Sequence, residues 1–173
     1  EFVFVENSGA ELDFLQPLLD EFKGRVEVIS FSDNDYDRSL GKGHGELRTI
    51  NYALEHSEKL KNKNIIHKVS GRYYLTNIKN ILDHLKKEKI DDKFDLIAYY
   101  HPPMFEYHVI PTVYFGAKRK FIEKYLKNAI VNDAAGIYLE HALFNAFTHL
   151  EKDKVCFFDT MGIEPDQKSG TGN

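Results

Sequence analysis

Cysteine is nearly missing from this sequence: Cys156 stands alone in an apolar run, so no internal disulfide can form and a reducing compartment is the expected home. No stretch reaches the roughly 18 to 20 apolar residues that a membrane helix needs, and the opening residues do not read as a signal peptide. An excess of positive charge is absent too. The net charge is -4 and the basic residues are dispersed, so no nucleic-acid surface announces itself and no nucleic-acid partner is expected. Repeats, heptads and low-complexity segments are also lacking. With no tryptophan, the 13% of aromatic residues are all Tyr and Phe, which suits a well-packed interior and a stacking surface.

What is present is core-forming material: 173 residues at 42% hydrophobic suffice for one ordinary globular domain. The chain opens Glu1-Phe2-Val3-Phe4-Val5, without Met and already inside an apparent strand, and it stops in a loop at 168–173. A single domain over 1–173 that lacks or does not show its true termini is therefore expected.

Hydrophobic periodicity predicts alternating elements. Strands are expected at 2–5, 26–31, 64–70, 94–100 and 154–158, with a further short one at 110–115. Helical spacing of Leu12, Leu15, Leu18, Leu19 and Phe22 marks one helix, stopped by Lys23-Gly24. Others are expected at 47–60, 77–87, 118–126 and 137–150. The alternation implies an α/β sandwich on a largely parallel sheet, a class that binds ligands at the carboxyl ends of its strands.

Polar clusters stand at those ends: Glu6-Asn7-Ser8 after the first strand, Gly41-Lys42-Gly43-His44-Gly45-Glu46 after the second, Lys68 to Tyr73 after the third and His101 after the fourth. The three alternate glycines before a helix suit close backbone approach to an anion such as a phosphate. Their spacing matches neither the Walker loop nor the dinucleotide fingerprint. A plain glycine-rich turn is the competing reading.

Taken in order, Glu6-Asn7-Ser8, the glycine stretch opening a helix with Tyr52-Ala53-Leu54, and Lys68-Val69-Ser70-Gly71-Arg72-Tyr73 resemble bacterial glycosyltransferases of surface-polysaccharide synthesis, of capsule or O-antigen type, with a GT-A-like fold. The resemblance is good over 2–75 and looser beyond. It implies a GT-A-like, Rossmann-like, mostly parallel sheet flanked by helices as a three-layer sandwich. It also implies donor binding by Glu6, Asn7 and Ser8 near the base or ribose, with Gly41, Lys42, Gly43 and Gly45 near the sugar diphosphate and Gly71 and Tyr73 beside them. Where the family carries a metal-binding Asp-x-Asp, this chain has Lys68-Val69-Ser70-Gly71-Arg72. Lys68 and Arg72 can offset charge on a departing diphosphate, so metal-independent transfer without a cofactor is expected. The bland alternatives are a snorkelling lysine and a surface ion pair. A divalent metal is the less favoured reading; Asp33-Asn34-Asp35-Tyr36-Asp37 opens like a calcium loop, but Arg38 and His44 occupy the positions that need Gly and Glu.

An inverting transfer needs a base for the acceptor hydroxyl. By the same resemblance Glu140, early in a late helix, is the candidate, with Asp159, Asp133 and Glu106 as other carboxylates; a surface Glu on an amphipathic helix is the plain alternative. The loop from His101 to His108 mixes aromatics, prolines and imidazoles, and His101, Tyr107 and His108 suit an acceptor pocket, or else a rigid connector. Lys118-Arg119-Lys120 reads as a solvated face, or more sharply as peripheral contact with a membrane carrying an anionic lipid-linked acceptor. The expected partners are a nucleotide-sugar donor and a glycan or lipid-linked acceptor, with the chain cytoplasmic, at the inner face of the membrane in the sharper form. The alternatives are a sugar nucleotidyltransferase and a non-catalytic nucleotide-binding domain.

Overall fold

The apolar runs that open the chain form a parallel pair: Phe2–Glu6 (β1) and Val26–Ser30 (β2) run side by side in the register Phe2↔Val26 to Glu6↔Ser30. The computed structural model describes residues 1–71, 73–99, 102–158 and 162–165. It divides into two compact units, Glu1–Lys63 with Ala129–Leu139, and Asn64–Asn128 with Glu140–Asn173.

In the first unit the expected helix between the strands is cut short. Asp13–Leu15 makes a 3-10 turn and only Gln16–Glu21 (α1) is α-helical, with Pro17 in its first turn, where a missing N–H costs nothing. Its apolar residues are not fully covered: Phe14 and Leu18 are exposed, at 72% and 44%. After β2, a 3-10 turn at Arg38–Leu40 leads into Gly41–His56 (α2), which buries Gly45, Leu47, Ala53 and Leu54. The segment 129–139 belongs to this unit. It turns back through the Asn132↔Ile137 bridge, with Gly136 in the left-handed region and the Asn132 side chain accepting from the Ala135 N–H at 3.2 Å.

The second unit holds the main sheet. Its strands are Ile65–Val69 (β3), Tyr73–Leu75 (β4), Leu96–Tyr99 (β5), Tyr114–Lys118 (β6), Val155–Phe158 (β7) and Ile163–Pro165 (β8). The order β3-β6-β5-β7 places β6 antiparallel to both neighbours, while β5 and β7 run parallel; β4 and β8 form a separate antiparallel pair. The helices are Ile78–Lys87 (α3), Ile90–Lys93 (α4), Met104–Tyr107 (α5), Arg119–Phe121 (α6), which continues as a wider π-type turn over Ile122–Leu126, and Leu139–Phe147 (α7). Leu96, Ile97, Ala98, Phe115 and Ala117 are fully buried, the mark of central strands covered on both faces. Leu85, Ile90 and Ile97 form one cluster, against which Ile65, Ile81, Leu82, Phe94, Cys156 and Phe158 pack.

This corrects the fold expectation. A GT-A three-layer sandwich needs one large, mostly parallel sheet, whereas here a four-stranded mixed sheet, a two-stranded parallel sheet and a two-stranded antiparallel pair share the chain. The sheets are too small and too divided for that architecture. Consequently the four polar clusters do not lie along one sheet edge: two follow β1 and β2, and the others follow strands of a different sheet. The reason is that β1 and β2 pair with each other, whereas β3 and β5 belong with β6 and β7 to the other sheet.

Candidate functional site

In the second unit, two elements bring ionisable side chains to one buried threonine. Lys68 lies on β3 opposite Phe115 of β6, and the pairing extends past the strand through the Ser70 N–H to the Val113 carbonyl at 2.8 Å. That register carries the residues just before β6 alongside the end of β3. The Lys68 Nζ accordingly donates to the Thr112 carbonyl. Thr112 is only 3% exposed, and its hydroxyl donates to Glu140 Oε1 at 2.6 Å. The Ile110 N–H, in turn, donates to the Glu140 carbonyl at 3.1 Å. Glu140 stands in the first turn of α7, where a helix favours an anion. Because Thr112 spends its one proton on Oε1, the carboxylate is a pure acceptor there. Among the described residues Glu140 has no other side-chain hydrogen-bond partner. Of the three expected catalytic residues, Lys68 and Glu140 therefore meet at Thr112, and Arg72 lies outside the described residues.

The first unit carries a shallow concavity of about 280 Å³ lined by Phe31, Asp33, Arg48, Asn51, Tyr52 and Glu55, among others. Tyr52 is sandwiched between Phe31, at 3.7 Å between ring centroids, and His56, at 3.9 Å. Arg48 grips Asp33 with Nε at 2.5 Å and a second nitrogen on the other oxygen; that guanidinium holds the Asp33 carboxyl below its ordinary range. Asp37 caps the 3-10 turn by accepting the Ser39 N–H at 2.9 Å. Two members of the acidic loop are thus engaged in local structure. Among the described residues no three His, Cys, Asp or Glu side chains converge in a way that could hold a metal ion.

The other expected donor residues are placed as follows. Glu6 folds onto its own turn and accepts the N–H groups of Ser8 at 2.9 Å and Ala10 at 3.4 Å. Burial pushes its carboxyl up, but the hydrogen bonds at Ser8, Ala10 and Asn7 outweigh this and hold it below the ordinary range. The Asn7 carbonyl accepts the Asp33 N–H at 3.0 Å, and Ser8 bridges Ser32. Gly41, Lys42, Gly43 and Gly45, expected as a loop, form the opening turns of α2. Side chains of the same unit occupy the space the glycines leave. A Cβ on Gly41 would fall 1.8 Å from Asp133 Oδ2, and one on Gly45 would fall 2.3 Å from the Tyr36 hydroxyl; Gly43 packs on Val131 and Leu139. Lys42 is exposed.

Gly71 sits in an open turn, and the exposed Tyr73 pairs with Pro165 across β4 and β8. Of the expected acceptor residues, Tyr107 is exposed at the end of α5, while His108 follows it in a left-handed conformation with its ring 5.2 Å from Phe144. His101 lies outside the described residues, as does Asp159. Phe105, between them, packs edge-on against Phe144, Phe147 and Phe157. Of the other carboxylates, Glu106 is exposed and Asp133 sits against Gly41 in the first unit.

The Lys118-Arg119-Lys120 run is paired: Asp95 lies 2.8 Å from Lys118 and 3.7 Å from Lys120, and Glu123 lies 3.1 Å from Arg119. Burial pushes the Asp95 carboxyl up, yet the Lys118 hydrogen bond and the Lys118, Lys120 and Lys154 charges hold it below its ordinary range. No helix among the described residues is long and apolar enough to cross a membrane.

Sequence reasoning missed Thr112, Asp95 and the Phe31–Tyr52–His56 stack. Thr112 left one signal, being the lone aliphatic hydroxyl in the apolar run Val109-Ile110-Pro111-Thr112-Val113-Tyr114-Phe115. Compared with known proteins, the chain matches no family model and no curated protein.

Proposed function

We propose that this chain transfers a sugar from a nucleotide-activated donor to a hydroxyl of a glycan or lipid-linked acceptor, in surface-polysaccharide synthesis on the cytoplasmic side of the membrane. The observation that carries the reading is the meeting of Lys68 and Glu140 at Thr112, a cation and a hydrogen-bond-accepting carboxylate linked through one buried residue. The resemblance to polysaccharide glycosyltransferases, which singled out Lys68 and Glu140 in the first place, is its other support.

In this reaction the acceptor oxygen forms a bond to the anomeric carbon while the bond from that carbon to the diphosphate oxygen breaks. Glu140 takes the acceptor's proton, and the electron pair leaves with the nucleoside diphosphate. The Lys68 ammonium offsets charge on the departing oxygens. A single displacement of this kind inverts the anomeric centre.

The test is a panel of nucleotide-sugars with glycan and lipid-linked acceptors, assayed for sugar transfer and for release of free nucleotide. Glu140→Gln, which keeps the shape and still accepts from Thr112, should lower kcat by about 100-fold or more while leaving donor affinity within about twofold. Lys68→Ala should cost a comparable factor. Full activity in a folded Glu140→Gln variant removes the base role. Release of pyrophosphate from a nucleoside triphosphate and a sugar phosphate, without sugar transfer, would replace the reading with nucleotidyl transfer.

A further inference from the structure

We infer that Thr112 is a positioning residue: its hydroxyl aims the Glu140 carboxylate, and its carbonyl anchors the Lys68 ammonium, so that one buried residue sets both groups. The inference rests on the transfer reading above. It names a residue that neither the motifs nor the resemblance singled out.

A glutamate side chain has three rotatable bonds, and one on a helix's first turn has freedom to swing. Two contacts from one short segment remove it here. The Ile110 N–H fixes the backbone of Glu140 at 3.1 Å, and the Thr112 hydroxyl fixes Oε1 at 2.6 Å. Thr112 can serve in this way because it is itself immobile: it is 3% exposed, Pro111 precedes it, and β6 begins two residues later. The hydroxyl has a single proton, and that proton goes to Oε1, so among the described residues Oε2 carries no hydrogen bond and remains the oxygen that can take a proton from an acceptor. On its other side, Thr112 receives Lys68 through the main chain, which no side-chain substitution removes. Substitution of Thr112 therefore separates the two roles. Loss of the hydroxyl frees the carboxylate and leaves the lysine anchored.

Thr112→Val replaces the hydroxyl with a methyl of nearly the same shape, and Thr112→Ser restores the donor without the methyl. Transfer kinetics of both would be compared with the unsubstituted chain, with folding checked by circular dichroism and thermal melting. Thr112→Val should lower kcat about 10- to 100-fold, as expected for a catalytic group misplaced by about an ångström, with the donor KM within about twofold. Thr112→Ser should recover to within about threefold of the original kcat. Equal loss in both variants would assign the effect to packing of the methyl and overturn the inference, as would an unchanged kcat in Thr112→Val or a loss confined to KM. In those cases the unsubstituted chain still transfers sugar and the functional reading stands. A chain that transfers from no donor overturns both.

Discussion

The glycines of α2 show how one residue type supports two opposite readings. In the sequence, Gly41, Gly43 and Gly45 announce close approach to the backbone; in the structure what approaches is protein, with the Tyr36 hydroxyl lying over Gly45 and the Asp133 carboxylate over Gly41. Periodicity cannot say which, because Tyr36 and Asp133 are nine and 92 residues away from the glycines they meet. Gly45 sets two effects of known size against each other. An alanine inside a helix is worth about 1 kcal/mol more than a glycine. Its Cβ, however, would stand 2.3 Å from the phenol oxygen, forcing Tyr36 away from His44, whose ring is 5.2 Å distant, and from the Arg48 guanidinium at 5.9 Å. Gly45→Ala should therefore destabilise by about 1 to 2 kcal/mol. In a Tyr36→Ala background the obstruction is gone, and the same substitution should stabilise by about 0.5 to 1 kcal/mol. Urea unfolding of the four proteins tests this. A Gly45→Ala effect with the same sign in both backgrounds excludes Tyr36 as the cause.

Helices and strands were legible where local chemistry decides them. The apolar runs at 26–31 and 154–158 become β2 and β7 nearly residue for residue, and the run at 77–87 becomes α3. How elements end was less legible, since ends are settled by partners distant in sequence. α2 stops at Ser57, whose hydroxyl donates to Glu27 of β2 at 2.6 Å and accepts the Leu60 N–H at 3.0 Å. Glu27 also takes the N–H groups of Glu58 at 3.1 Å and Lys59 at 3.0 Å. One carboxylate thus closes the helix and ties it to a strand. Burial pushes the Glu27 carboxyl up, but the Ser57 hydroxyl, the two N–H groups and the Lys59 charge together bring it below its ordinary range. A depressed carboxyl adds stability that is fully present above the unfolded value, about pH 4, and is lost as the pH falls through the folded value. Glu27→Gln should cost about 2 kcal/mol at neutral pH, through weaker hydrogen bonds to an uncharged acceptor. The gap between variant and original should narrow as the pH falls below about 4, where both carry a neutral side chain. Denaturant titrations across that range decide it: a gap that stays constant with pH means the charge of Glu27 contributes nothing.

At the scale of the molecule, sequence pattern identified an α/β chain, but not its sheets. Strand direction leaves little trace in composition: β6 reads Tyr-Phe-Gly-Ala-Lys, as apolar as a parallel strand, and only its pairing with β3 and β5 reveals that it runs against both. The candidate site inherited that limit, since the meeting of Lys68 with Thr112 depends on this antiparallel register. The same topology distributes burial unevenly. Leu96, Ile97 and Ala98 of β5 and Phe115 and Ala117 of β6 are completely buried, whereas no residue of β1 or β2 is, and Phe2 and Phe4 of β1 are 61% and 42% exposed. Local opening is opposed mainly by the apolar surface it would uncover, so segments with little buried surface open at lower free energy than the global transition. Hydrogen exchange in the native state should therefore find the β5 and β6 amides slowest, opening only with global unfolding. The β1 and β2 amides should be less protected by a factor of about 10 to 100, or roughly 1.4 to 2.7 kcal/mol, and their exchange should respond weakly to low concentrations of denaturant because little surface is uncovered. Equal protection and equal denaturant sensitivity in all four strands would mean that the two sheets open as one cooperative body.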